Sequence, residues 1–214
     1  MAQLFAIHPV DPQARLLKRA AEMVRDGALM AYPTDSSYAL GCHLGDKAAM
    51  ERIRAIRGFD ESHHLTLVCS DLAQIAQYAL VDNRQYRWLR SATPGSFTVI
   101  LRATREVPRR LQHPRRSTIG LRVPDHPVAL GLLAALGEPI LSATLILPGD
   151  DQPLDDPAEI RARLEKRVDL VIDSGTCGRQ ATTVVDLTGE LPVLVRRGRG
   201  DPALFGISEV EAAA

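Results

Sequence analysis

MAYPTDSSYALGC, residues 30–42, reads as a buried strand that runs into a polar turn and resumes as a second strand. The apolar run from Ala28 to Tyr32 meets Pro33, after which Thr34, Asp35, Ser36 and Ser37 set four oxygen-bearing side chains in a row. Tyr38, Leu40 and Cys42 then follow at the two-residue period of a strand. Short hydroxyl and carboxylate side chains favour turns because they bond neighbouring backbone groups. A polar turn after a core strand is also where open α/β sheets present groups to a ligand. Residue type alone leaves both readings open.

Upstream, Asp11-Pro12 predicts a helix start, with Leu16, Ala20 and Val24 on one face and Gly27 as a left-handed stop. Downstream, Asp46 predicts the cap of a second helix that turns Met50, Ile53 and Ile56 inward and ends at Gly58. LTLVCS (65–70), FTVILRA (97–103), TIGLRVP (118–124) and PILSATLI (139–146) read as compact apolar strands, and 71–79, 82–91 and 128–136 as helices. Asp156-Pro157 opens a helix over 157–167, and DLVID, TTVVDL and LPVLVRR close the chain as three strands. Strands alternate with helices early while the tail is strand-rich, so the expected class is α/β with a mixed sheet. No internal repeat or long linker divides the 214 residues, and one domain is expected.

Lys and Arg (26) balance Asp and Glu (26), so no global field recruits nucleic acid or a membrane surface. Any such contact must come from a local patch. Arg102, Arg105, Arg109, Arg110, Arg115, Arg116 and Arg122 stand against Glu106 alone within 102–122, an excess that suits phosphate or nucleic acid. Aromatic partners for base stacking are missing nearby, which favours a backbone-reading, duplex-type contact. RIRAIRGF (52–59) sets Arg54 and Arg57 three apart at a helix end, either as a solvated face or as forks aimed at phosphate. No apolar run approaches the ~20 residues of a membrane span, and the N-terminus lacks a secretory pattern. The cysteines Cys42, Cys69 and Cys177 are odd in number and far apart, which points to a reducing cytoplasm rather than a disulfide framework. Zinc-ligand spacings, a P-loop and a G-x-S-x-G elbow are all absent from the sequence.

These stretches resemble the YrdC-like family, which includes the threonylcarbamoyl-AMP synthases, and within it the YciO-type branch. YPTDSSYALGC is similar to that family's opening PT-D/E-T-x-Y-G-L-G strand and turn, and TPGSFTVIL (93–101) to its PG-x-x-T-x-I-L strand. TIGLRVPDHP (118–127) resembles its R-x-P-x-H-P segment, TTVVDLT (182–188) its S-T-V-V-D strand, and VLVRRG (193–198) its L-R-x-G ending. The likeness runs in register over residues 8–206 as a single domain, leaving 207–214 as a short tail. It implies a twisted, open mixed sheet with flanking helices and a concave, positively charged surface. It also implies a site for ATP, with Mg2+, and L-threonine. In that family threonine, bicarbonate and ATP become threonylcarbamoyl-adenylate and pyrophosphate, for modification of adenosine in tRNA. Binding of double-stranded RNA is a further implied property, and a non-catalytic RNA-binding paralogue is the alternative.

Carried over by position, Thr34, Ser36 and Tyr38 are expected to border the amino-acid pocket, with Arg122 and Thr118 near the carboxylate or phosphates. Thr182 takes the family's serine position, and Arg196 is expected over the nucleotide. The K-x-R phosphate clamp falls on Ala55-Ile56-Arg57, so its lysine is lost. Arg54 is the neighbouring substitute, although adjacent helix positions point about 100° apart. The S-x-N motif falls on Thr144-Leu145-Ile146, keeping a hydroxyl and losing the amide. Each loss removes about 1.5–3 kcal/mol of binding or transition-state stabilisation. No catalytic residue and no metal ligand are assigned, because positioning and charge stabilisation suffice for such a reaction.

Overall fold

A computed structural model describes residues 1–59 and 65–207, and within them ten strands form one twisted, open sheet. In chain order these are β1 (Gln3–Ala6), β2 (Met30–Pro33), β3 (Tyr38–His43), β4 (Thr66–Val68), β5 (Phe97–Arg102), β6 (Thr118–Arg122), β7 (Ile140–Thr144), β8 (Leu170–Asp173), β9 (Thr183–Asp186) and β10 (Val193–Arg196). The helices are α1 (Ala14–Arg25), α2 (Lys47–Arg57), α3 (Leu72–Tyr78), α4 (Asn83–Ala92), α5 (Pro127–Leu136) and α6 (Pro157–Leu164). Across the sheet the order is β1-β8-β2-β3-β7-β4-β6-β5-β9-β10. Pairs β1/β8, β2/β8, β4/β6 and β5/β9 are parallel and the rest antiparallel, the mixed sheet that the strand-rich tail predicts.

Side-chain alternation along the strands divides the core into two layers. Ala31, Leu40, Leu67, Val99, Leu121, Leu141, Val171 and Val185 face the layer of α2, α3, α4 and α6, meeting Ile53, Ile56, Ile75, Leu89 and Ile160. Met30, Tyr32, Ala39, Leu170 and Ile172 face the opposite way, onto Leu17, Ala21 and Val24 of α1 and Leu132 and Leu133 of α5. Each fully buried leucine or isoleucine in these layers stabilises the fold by about 1.5–3 kcal/mol. Helices α1 and α5 cover the β8-β2-β3 end, with Val68 and Ile140 at their margin. Beyond that margin the same face of β7, β4, β6, β5 and β9 is left to the candidate site.

Local signals explain most boundaries. Asp46 accepts from the Ala49 N–H at 2.9 Å, and Gly58 closes α2 at φ 65, as the sequence predicts. Helix α1 begins at Ala14 instead of at Asp11-Pro12. There His8 Nδ1 accepts from the N–H groups of Val10 and Asp11, and Gln13 Oε1 accepts from His8 N–H, closing a turn before the helix starts. Helix α6 ends at Leu164, short of 167. Strand β1 lies ahead of residue 8 and joins the sheet through β8. The segment after residue 207 in the expected tail, 208–214, lies outside the described residues. No helix among the described residues is long and apolar enough to cross a membrane.

Candidate functional site

The open half of the sheet holds a cavity of about 310 Å3. Thr66, Thr98, Thr118, Gly120, Ser142 and Thr144 line it. They are the residues that alternation turns away from the α2, α3, α4 and α6 layer, and being small and hydroxyl-bearing they leave a hollow instead of a filled core. Three guanidinium groups also line it, those of buried Arg122, of half-buried Arg57 and of Arg196, which is exposed on β10, and exposed Arg116 stands at its margin.

Arg57 enters from the C-terminal end of α2. Its guanidinium lies 4.3 Å over the Phe59 ring and donates to the Ile146 carbonyl, which fixes the segment after β7. Burial pulls its pKa down to about 10, so it remains protonated at neutral pH but poorly solvated. Arg196 arrives by a different device. In β10, Leu194 pairs with Val185 while Arg196 pairs with Val184, so Val195 is an inserted bulge residue. Leu194 packs on the helical layer; without the bulge Arg196, two residues on, would share that face. The bulge therefore re-aims Arg196 into the cavity, where it donates to the Thr182 carbonyl at 3.0 Å and to Thr182 Oγ1 at 3.3 Å. Burial also lowers the Arg196 pKa. Among the described residues neither Arg57 nor Arg196 forms an ion pair with a carboxylate.

Arg122, the last residue of β6, is 7% exposed and donates to Asp35 Oδ1 at 2.5 Å. The hydroxyl groups are ordered by their own network. Ser142 Oγ donates to the Leu40 carbonyl at 2.8 Å, so Tyr32 OH, 2.9 Å away, must be the donor to Ser142. Burial pushes Tyr32 up to about 12. Tyr32 lies so close to β3 that a Cβ on Gly41 would sit 2.8 Å from its ring, which requires glycine there. Thr98 and Thr182 share a 2.9 Å hydrogen bond on the far wall.

Of the residues nominated from the sequence, Arg57, Thr118, Arg122, Thr144, Thr182 and Arg196 come together around the cavity. Thr34, Ser36, Tyr38 and Arg54 are not among the residues that line this cavity, and each is held by other partners. Thr34 Oγ1 donates to the Ser37 carbonyl at 2.6 Å and accepts from the N–H groups of Ser36 and Ser37, so its hydroxyl closes the turn. Ser36 Oγ is 3.2 Å from Thr34 Oγ1 and buried with it. Tyr38 points to the opposite face, donating to the Gly175 carbonyl at 2.8 Å and accepting from Ser174 N–H. Arg54 pairs with Glu51 one turn back at 3.0 Å, so it does not replace the missing lysine in the cavity wall. Ala55 is exposed on α2 with its carbonyl held by Arg167, while Ile146 lines the cavity.

Asp35 was not singled out from the sequence, yet it joins four segments: Arg122, Asp125 N–H and Ser96 Oγ bond its carboxylate, and Arg199 bonds its carbonyl. Its only sequence signal was its place among the four polar residues of the turn. None of the cysteines lines the cavity. Burial pushes Cys42 up to about 12 and Cys177 up to about 11, and raises Cys69 as well, so their thiols stay protonated at neutral pH.

The sequence profile of the Sua5/YciO/YrdC family, described as telomere recombination, matches residues 22–198. Uncharacterized protein YciO of Escherichia coli is 53% identical over 205 residues, 96% of this chain and 100% of that protein. Its crystal structure superposes with a TM-score of 0.92 over 96% of this chain and 100% of that one. A threonylcarbamoyl-AMP synthase of Halorhodospira halophila is 30% identical over 170 residues, covering 79% of this chain and 88% of the synthase. The crystal structure of P. abyssi Sua5 complexed with L-threonine matches at a TM-score of 0.83 and 26% identity, over 92% of this chain and 58% of that one. The chain belongs to the Sua5/YciO/YrdC family.

Proposed function

We propose that the cavity binds ATP and L-threonine and joins them with bicarbonate as threonylcarbamoyl-adenylate, releasing pyrophosphate. The observation that carries this reading is the pair of desolvated guanidinium groups, Arg57 and Arg196, on the wall of one hydroxyl-lined cavity. A cation partly stripped of water and without a counter-charge favours an anionic ligand. Phosphate suits the planar donor forks of arginine. A threonylcarbamoyl-AMP synthase among the relatives and a family structure complexed with L-threonine support the reading.

In this reaction the amine of threonine takes up bicarbonate with loss of water to give a carbamate. Its carboxylate attacks the α-phosphorus of ATP, and pyrophosphate leaves. The chain supplies positioning and positive charge at the phosphoryl group rather than a covalent nucleophile. Mg2+ would enter with the triphosphate and help neutralise its charge, since no carboxylate lines the cavity among the described residues to hold the ion by itself. Ile146 in place of the family's asparagine, and Ala55 in place of its lysine, make a slower enzyme than the synthases.

A second reading, RNA binding without efficient synthesis, is favoured by the exposed Arg102, Arg105, Arg109, Arg110, Arg115 and Arg116 within one segment of the chain. Arg116 lines both the cavity and the adjoining groove with Arg102. Calorimetric titration separates the two. Micromolar binding of MgATP that L-threonine tightens supports the synthase reading, and no binding of either ligand to folded protein removes it. Double-stranded RNA binding that falls steeply with salt supports the second.

A further inference from the structure

The best-connected charged group outside the cavity is Asp35, and it touches the cavity through one residue only. Its side chain is 8% exposed, like that of Arg122. Oδ1 accepts from Arg122 at 2.5 Å and from the Asp125 N–H at 3.1 Å, Oδ2 accepts from Ser96 Oγ, and the Asp35 carbonyl accepts from Arg199. The β2–β3 turn, the segment before β5, the β6–α5 connection and the segment after β10 therefore converge on one carboxylate. Asp35 itself does not line the cavity, whereas Arg122 does.

We propose that Asp35 is a positioning residue that fixes Arg122 in the wall and cancels its charge, so that Arg57 and Arg196, not Arg122, carry the net positive charge a triphosphate meets. The proposal rests on the nucleotide-binding reading above and deepens it. A buried carboxylate in direct contact with a guanidinium leaves a dipole, whose field falls off much faster than that of a lone charge. Arg57 and Arg196 have no such partner among the described residues, and both are partly desolvated. The cavity is thus neutral at its Arg122 end and cationic where Arg57 and Arg196 enter. Arg122 still offers directed N–H donors there, held at a set angle by Asp35 and by the backbone N–H that Asp35 also binds.

The distinguishing variant is Asp35→Asn, which keeps the size of the side chain and an oxygen acceptor for Asp125 N–H, with its Nδ2 donating to Ser96 Oγ, but uncovers the Arg122 charge. Inorganic pyrophosphate, titrated by calorimetry at two salt concentrations, should bind Asp35→Asn about tenfold more tightly than wild type, with a steeper loss on adding salt. The kcat of threonine-dependent pyrophosphate release should fall in the same protein, because Arg122 is no longer fixed. A residue that only holds the loops together would weaken both, so unchanged or weaker pyrophosphate binding by folded Asp35→Asn overturns the proposal.

Breaking a buried pair is destabilising, and the double variant Asp35→Asn/Arg122→Gln covers the case in which the single one does not fold. Removing both charges should leave the salt dependence of pyrophosphate binding at its wild-type slope, whatever affinity is lost with the Arg122 donors. A clearly shallower slope there shows that Arg122 was supplying net charge and overturns the proposal. Wild-type protein that binds neither pyrophosphate nor MgATP overturns this proposal together with the nucleotide reading, whereas failure in the variants alone overturns only the role of Asp35.

Discussion

Replacing Arg57 by alanine tests the cationic wall of the cavity most sharply. In the folded chain this side chain holds the Ile146 carbonyl and packs over Phe59 at 4.3 Å. Removing it deletes one charged hydrogen bond and a cation–π contact, together worth about 2–4 kcal/mol. It also removes a desolvated cation whose pKa burial holds near 10, and relief of that desolvation offsets much of the loss. The net change in stability should stay within about 1.5 kcal/mol, typical of single substitutions. Binding has no such offset. Loss of one charge-assisted phosphate contact costs about 1.5–3 kcal/mol, or about a ten- to 150-fold weaker affinity for MgATP. Calorimetry on wild type, Arg57→Ala and Arg57→Lys, each checked by thermal melting, reads this directly. Lysine should recover part of the affinity, since it restores charge without the planar fork. Equal ATP affinity for wild type and a well-folded Arg57→Ala would refute the reasoning.

Three further outcomes follow from the geometry. Deleting Val195 makes Arg196 follow Leu194 directly, so in a regular strand it still pairs with Val184 and faces the cavity, and MgATP binding should survive where Arg196→Ala loses it; a loss as large as that of Arg196→Ala counts against the register assigned to β10. Tyr32→Phe should lower stability by about 1 kcal/mol in urea with an unchanged m-value, through loss of the donor to Ser142. Because burial raises the folded Tyr32 pKa to about 12 from 10.0, wild-type stability is intact below pH 10 and declines as pH rises toward 12; Tyr32→Phe should decline less over that window, and parallel curves would contradict the assignment. Cys177, raised to about 11, should react with iodoacetamide at pH 8 about a hundredfold more slowly than an ordinary thiol and speed up as pH approaches 11; rapid labelling at pH 8 would disprove its burial.

The layers were legible because apolar alternation and capping residues are local signals. The Asp46 cap, the Gly58 stop and the runs that became β5, β6 and β7 needed only residue type and spacing. Strand β1 was missed because its apolar run, Leu4 to Ile7, is short and lies at a sheet edge where most of the strand is exposed, so it carries neither the length nor the alternation of a core strand. Asp11-Pro12 misled because His8 and Gln13 supply a competing turn through their side chains. In the site, residue type identified arginines and hydroxyls but not where their hydrogen bonds go. Thr34 and Tyr38 carry the groups a pocket wants, yet both bond carbonyls, in the turn and in the 174–175 segment. Arg54 and Arg57 are three apart on one helix, but Glu51 holds the first and the Ile146 carbonyl draws in the second. Asp35 looked like any turn residue until Arg122, 87 positions away, was brought onto it.

The measurement that bears most directly on the central claim is pyrophosphate release by the purified chain with MgATP and bicarbonate, with and without L-threonine. Release that depends on threonine, accompanied by the mass of threonylcarbamoyl-adenylate, is the predicted result. No release above the no-threonine control, at high concentration of folded protein, would contradict synthesis in this cavity.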